Sequence, residues 1–276
     1  KKNDTFTGNL QGKVQGQKLL WKMIQILNTV IPAFIIIAVG LIIGKIKKGI
    51  DLGLIVNLIF YIASPSLVFS TLIKSNVKPN DFLIIVFSAA AITLMLGFLS
   101  YTLLKKTNRI GLCLPMSIGN TGYIGYPIVL LAWGVDGLSK AVIFDSTAFV
   151  ILLTLGIFIV SKGKGRFKEI LKAAPIYSII IGVGFNALKI PVPEMILTPI
   201  EMIGAVTIPA ALMVLGYRLS EIKIKNEFMT ALLSSMFKIF VGFLAAFGVV
   251  TLFGITGVTK NVIIILATMP SAVMSM

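Results

Sequence analysis

The residues best suited to chemistry lie together in one apolar stretch, Gly119-Asn120-Thr121-Gly122-Tyr123-Ile124-Gly125-Tyr126-Pro127. Its glycines and its proline oppose a continuous helix. Pro127 suits the first position of a new half-helix. The N-terminal N–H groups of such a half-helix lack partners and carry partial positive charge, which makes an anion site. Asn120 adds an amide that can donate to a carboxylate or accept from a hydroxyl. Close helix packing is the competing use of the glycines. A second stretch, Ala267-Thr268-Met269-Pro270-Ser271-Ala272, has no glycine but keeps a proline flanked by hydroxyl residues. The expected substrate-binding residues are therefore Asn120, Thr121, Gly122, Gly125, Pro127, Pro270 and Ser271.

Ionisable residues inside apolar spans are rare and usually functional. Asp145 is the candidate for a coupling-ion site, with an interfacial or helix-pairing carboxylate as the alternative. Lys238 reads as a side chain that snorkels to the surface. Glu201 is expected near the outer end of its span. Asn57 and Asn186 read as polar glue between helices. The chain has no histidine and one cysteine, Cys113. That excludes His-based catalysis, His metal ligands, an intrachain disulfide and a thiolate zinc site. No metal and no cofactor are expected.

The elements that must position these residues are transmembrane helices. Apolar residues make up 57% of the chain and charged residues 13%, against about 25% charged in a soluble domain. Mean hydropathy is +1.00. Nine runs approach the roughly 20 residues that a membrane-crossing helix needs: 26–44, 52–73, 82–104, 112–133, 139–160, 171–188, 196–217, 230–253 and 260–276. Residues 1–22 are polar and basic and read as an upstream extension, with a flexible native tail as the alternative. The net charge of +15 is explained by basic loops rather than by nucleic acid. Loops after odd-numbered spans hold 14 Lys and Arg, those after even-numbered spans 5. This places the odd loops in the cytoplasm and the N-terminus outside, although five lysines in the extension disagree.

Six prolines inside spans pair at nearly one offset. Pro32 with Pro175, Pro65 with Pro209 and Pro127 with Pro270 are separated by 143, 144 and 143 residues. That spacing points to an internal duplication. The first copy, 23–160, holds five spans. An odd number sends the second copy, 161–276, into the membrane from the opposite face. This is the inverted-repeat plan of many secondary transporters, with the substrate site at the midplane between broken helices. The offset places a tenth span near 282–303, past Met276. The expected fold is thus an all-α polytopic membrane protein, an inverted repeat of five helices with broken helices four and nine crossing and the tenth helix missing from this chain.

The NTGYIGYP stretch resembles the Asn-x-Gly-aromatic-x-Gly-x-Pro signature of the auxin efflux carrier family. The segments ASPSLVFSTL, IFDSTAFVILLTLG, IPAALMVLG and ATMPSA are also similar to that family. The resemblance covers about residues 23–276. It implies ten helices with crossover helices four and nine, a fold similar to bile-acid symporters and sodium/proton antiporters. It also implies organic-anion substrates: auxin in plants, malate and malonate among bacterial members.

The expected function is secondary transport of small organic anions or carboxylates across the cell membrane, with efflux as the expected direction. The partners are the anion, a proton or sodium ion and the bilayer, with a homodimer left open and no nucleic acid. A substrate-sensing or channel-like protein using the same cavity is the alternative. An intramembrane aspartyl protease would need two facing carboxylates. A Walker phosphate loop is absent, which argues against ATP-driven pumping.

Overall fold

The computed structural model describes residues 30–107, 109–152, 154, 174–221 and 228–271. The extension at 1–22, the end of the fifth span, the basic segment that follows it and Ala272 lie outside these residues.

Among the described residues ten helices follow in order: α1 (Val30–Ile46), α2 (Gly53–Ile73), α3 (Pro79–Leu104), α4 (Cys113–Ser117), α5 (Tyr126–Ile151), α6 (Ala174–Ala187), α7 (Glu194–Ala205), α8 (Thr207–Glu221), α9 (Phe228–Leu252) and α10 (Gly257–Ala267). Five helical stretches are long and apolar enough to cross a bilayer: α2, α3, Thr121–Ile151, Glu194–Glu221 and Met229–Leu252. Among the described residues there is no strand; the one β-bridge joins Gly119 to Ser271. The chain is an all-α polytopic membrane protein. The outer faces of α3 and α9 carry exposed Phe87, Phe98, Phe240 and Leu244, side chains suited to hydrocarbon.

The prolines set the breaks. A proline leaves the carbonyl four residues earlier without its helical donor. For Pro65 that residue is Tyr61, inside a π-turn at Ile59–Ala63. For Pro209 it is Ala205, the last residue of α7. For Pro127 it is Tyr123, inside a second π-turn at Thr121–Gly125. For Pro270 it is Leu266, in the last turn of α10. In each of these two pairs, prolines 144 or 143 residues apart accompany irregular backbone at corresponding places. Next to the break at Pro65 the Ser66 hydroxyl donates to the Ile62 carbonyl at 2.8 Å.

The fourth and fifth spans meet at Gly134. Its φ of 63° and ψ of −154° interrupt the helical path of α5. Tyr126 and Asp145 are 19 residues apart, yet their side chains are hydrogen-bonded at 2.7 Å. In a straight helix they would be about 28 Å apart. The chain therefore turns back on itself at Gly134, where only glycine takes that conformation without strain.

Packing sorts the helices into two groups. In the first, α1 lies against α8, with a Cβ on Gly40 falling 2.1 Å from the Met213 carbonyl oxygen and one on Gly216 falling 2.0 Å from that of Ile37. α2 packs on α6 and α7; Asn186 of α6 donates to the carbonyls of Ile73 and Ser75 at 2.9 Å each. Asn186 is the polar glue expected of it, whereas Asn57 lies exposed. The second group is α3, α4, α5, α9 and α10, packed around Ile85, Ile92, Leu96, Val129, Val142, Ile263 and Leu266.

Candidate functional site

The fourth and ninth spans are both interrupted, and the interruptions touch. After α4 the chain extends through Ile118. Gly119 then bridges to Ser271, and the Asn120 N–H donates to the Pro270 carbonyl at 2.7 Å. Gly119 lets the two spans approach closely: a Cβ there would lie 3.0 Å from the Met269 carbonyl oxygen, a tight contact.

The second half of the fourth span begins earlier than Pro127. Asn120 is its N-cap: the side-chain Oδ1 accepts from the Tyr123 N–H at 3.3 Å. The Asn120 carbonyl accepts from Ile124 and Gly125. Pro127 is the second residue of α5, already within the helix. The expectation that Pro127 opens the half-helix is corrected here, because an asparagine able to cap its own turn sits seven residues upstream. Gly125 serves packing: a Cβ would fall 2.6 Å from a methyl of Leu266.

Five polar side chains converge at this cap: Asn120, Ser271, Thr121, Tyr126 and Asp145. Asn120 and Ser271 are buried, and among the described residues neither Asn120 Nδ2 nor Ser271 Oγ has a hydrogen-bond partner. Because Oδ1 is committed to Tyr123, the unpartnered end of the Asn120 amide is the donor end. Thr121 and Gly122 follow as the first residues of the turn, where N–H groups have no intrahelical acceptor. The Thr121 hydroxyl donates to Asp145 Oδ1, and the Tyr126 hydroxyl donates to Asp145 Oδ2 at 2.7 Å. A Cβ on Gly122 would come within 3.6 Å of that same Oδ2. Asn120, Thr121, Gly122, Pro270, Ser271 and Asp145 thus form one neighbourhood, and Asp145 is held by the broken helix.

The end of α10 supplies the opposite polarity. Its last carbonyls carry partial negative charge. Lys238 of α9 is buried and donates from Nζ to the Ala267 carbonyl at 2.7 Å. It does not snorkel, in contrast to the sequence-based expectation. A cavity with room for about one water lies beside Thr93, Ser117, Thr121, Lys238 and Ala267. Two participants went unrecognised in the sequence. Tyr126 belongs to the motif, but its partner is revealed only by the turn at Gly134. Lys238 was visible as a charge within a span, but its acceptor lies 29 residues away. Two ion pairs lie at span edges: Lys74 with Glu201, and Lys140 with Asp136 at 2.5 Å.

The amino-acid sequence has relatives among known proteins. The sequence profile of the family described as membrane transport protein matches residues 163–276. Over 241 residues the chain is 33% identical to an uncharacterized transporter of Methanocaldococcus jannaschii, spanning 80% of this chain and 77% of that one. This chain belongs to the auxin efflux carrier-like membrane transport family. A second relative, an uncharacterized transporter of Methanothermobacter thermautotrophicus, is 23% identical over 264 residues, 90% of this chain and 86% of its own. In this member of the family the second half of the fourth span is capped by Asn120, and Thr121 and Tyr126 fix the carboxylate of Asp145.

Proposed function

We propose that this membrane transport protein is a secondary carrier of small organic anions, with carboxylates as the substrate class and efflux as its direction. The carrying observation is Asn120 Nδ2, a buried donor without an acceptor among the described residues, at the start of a half-helix. A buried unpaired polar group is costly. A carboxylate oxygen would satisfy it with a charge-assisted hydrogen bond, aided by the N–H groups of Thr121 and Gly122 and by the Ser271 hydroxyl.

Asp145 supports coupling to a proton or sodium ion. A bound carboxylate and an ionised Asp145 would be like charges in one neighbourhood, and a proton or cation on Asp145 relieves that repulsion. The reading also supports alternating access. The cavity at the crossing has room for about one water, so an anion of several heavy atoms enters only when the surrounding helices move. On this reading the two proline-matched halves are inverted repeats, the basic odd loops are cytoplasmic, and the substrate site lies at the midplane.

The test is uptake into liposomes containing the reconstituted protein, screened over mono- and dicarboxylates under imposed pH and sodium gradients. At least one carboxylate should move with saturable kinetics, and Asn120→Ala should weaken it. Failure of every carboxylate under both gradients, with folded protein in the membrane, would contradict the proposal.

A further inference from the structure

We infer that the ammonium of Lys238 is a built-in cation at the helix crossing, filling the place at the carbonyl end of α10 that a free alkali cation would otherwise take. The inference goes beyond the carrier reading by excluding sodium from that place; only its transport readout rests on that reading.

A helix that ends inside a membrane leaves its last carbonyls without donors and with partial negative charge. Such ends at broken helices are natural cation sites. At the end of α10 the cation is already supplied: Lys238 Nζ stands 2.7 Å from the Ala267 carbonyl oxygen. The lysine is 3% exposed. The cavity it borders is also lined by Thr93, Ser117 and Thr121. Carbonyl and hydroxyl oxygens are the ligands that hard cations choose, and an ammonium has three donors to direct at them.

No carboxylate competes for this lysine among the described residues. Asp145 is bonded to Thr121 and Tyr126, Asp136 to Lys140, and Glu201 to Lys74. The charge is compensated by the helix end instead. The approach also depends on Gly242, one turn after Lys238 on the same face. A Cβ there would fall 2.2 Å from the Ala267 oxygen and 3.3 Å from Lys238 Nζ. Helix α9 thus brings a small residue and a cation to the same carbonyl.

The experiment compares sodium with choline at equal ionic strength, by the thermal midpoint of the purified protein without substrate and by carboxylate uptake under a pH gradient. Any sodium-specific rise in the wild-type midpoint should come from Asp145 and vanish in Asp145→Asn. Lys238→Gln keeps a donor but removes the charge. It should have a lower midpoint that sodium raises and choline does not, and uptake at least about fivefold higher with sodium. A sodium-specific rise in the midpoint that persists in Asp145→Asn would overturn the inference, because sodium would then bind beside Lys238. So would a Lys238→Gln protein that matches wild type in both salts, because Lys238 would then be only a cap on α10. Should Lys238→Gln fail to fold, Lys238→Arg retains the charge, and a sodium-specific rise in its midpoint larger than that of wild type would overturn the inference. The midpoint needs no substrate, so it decides this point even if the transported molecule proves not to be an anion.

Discussion

The N–H of Asn120 donates to the carbonyl of Pro270 across 2.7 Å, binding the fourth span to the ninth at the point where both are broken. One bond thereby joins residues 150 positions apart. It leaves the Asn120 side chain with one task done, the capping of Tyr123, and one donor to spare.

Replacing Asn120 by alanine tests that spare donor. A hydrogen bond to a charged group contributes about 1.5–3 kcal/mol, which is roughly ten- to a hundredfold in affinity. Loss of the cap costs about 1 kcal/mol more in stability. Asn120→Ala should therefore insert and fold but bind its carboxylate substrate at least about tenfold more weakly, measured as the concentration for half-maximal uptake. Unchanged kinetics in a folded variant would place the substrate elsewhere.

Asp145→Asn addresses coupling. The variant removes the exchangeable proton while keeping an acceptor for the Thr121 hydroxyl. Accumulation driven by a pH gradient should be abolished, and exchange of labelled for unlabelled substrate should survive. Substrate binding should also lose its dependence on pH. Normal accumulation by Asp145→Asn would make this carboxylate a structural residue.

The breaks themselves were legible. Glycine and proline inside apolar runs mark them, and the offset of 143–144 residues pairs them. The turn between the fourth and fifth spans was legible too, since hydropathy falls around Gly134. What the sequence concealed depends on contacts between distant residues. Pro127 carries the stronger local signal for a helix start, yet Asn120 caps the turn because the bond to Pro270 holds it there. Lys238 resembles a snorkelling lysine until α10 is seen to end beside it.

Two glycines test the packing within the two helix groups. A methyl on Gly216 would meet the Ile37 carbonyl oxygen at 2.0 Å, and one on Gly242 that of Ala267 at 2.2 Å. Both neighbours are backbone and cannot rotate away. Overpacking of this kind costs about 1–3 kcal/mol. Gly216→Ala and Gly242→Ala should each lower the thermal midpoint in detergent, whereas Gly248→Ala, with open space around its Cβ position, should leave it unchanged. Equal midpoints for all three would show that these helices are not in such close contact.

The central claim is that the crossing at Asn120 and Ser271 binds a carboxylate for carriage across the membrane. Counterflow tests it most directly. Liposomes holding the reconstituted protein are loaded with an unlabelled carboxylate and diluted into a trace of the same compound, labelled, with no ion gradient. The account predicts transient accumulation of label above its outside concentration, at least about tenfold weaker for Asn120→Ala at subsaturating substrate. Label that only equilibrates, with no overshoot for any carboxylate, or an overshoot unaffected by Asn120→Ala, would contradict it.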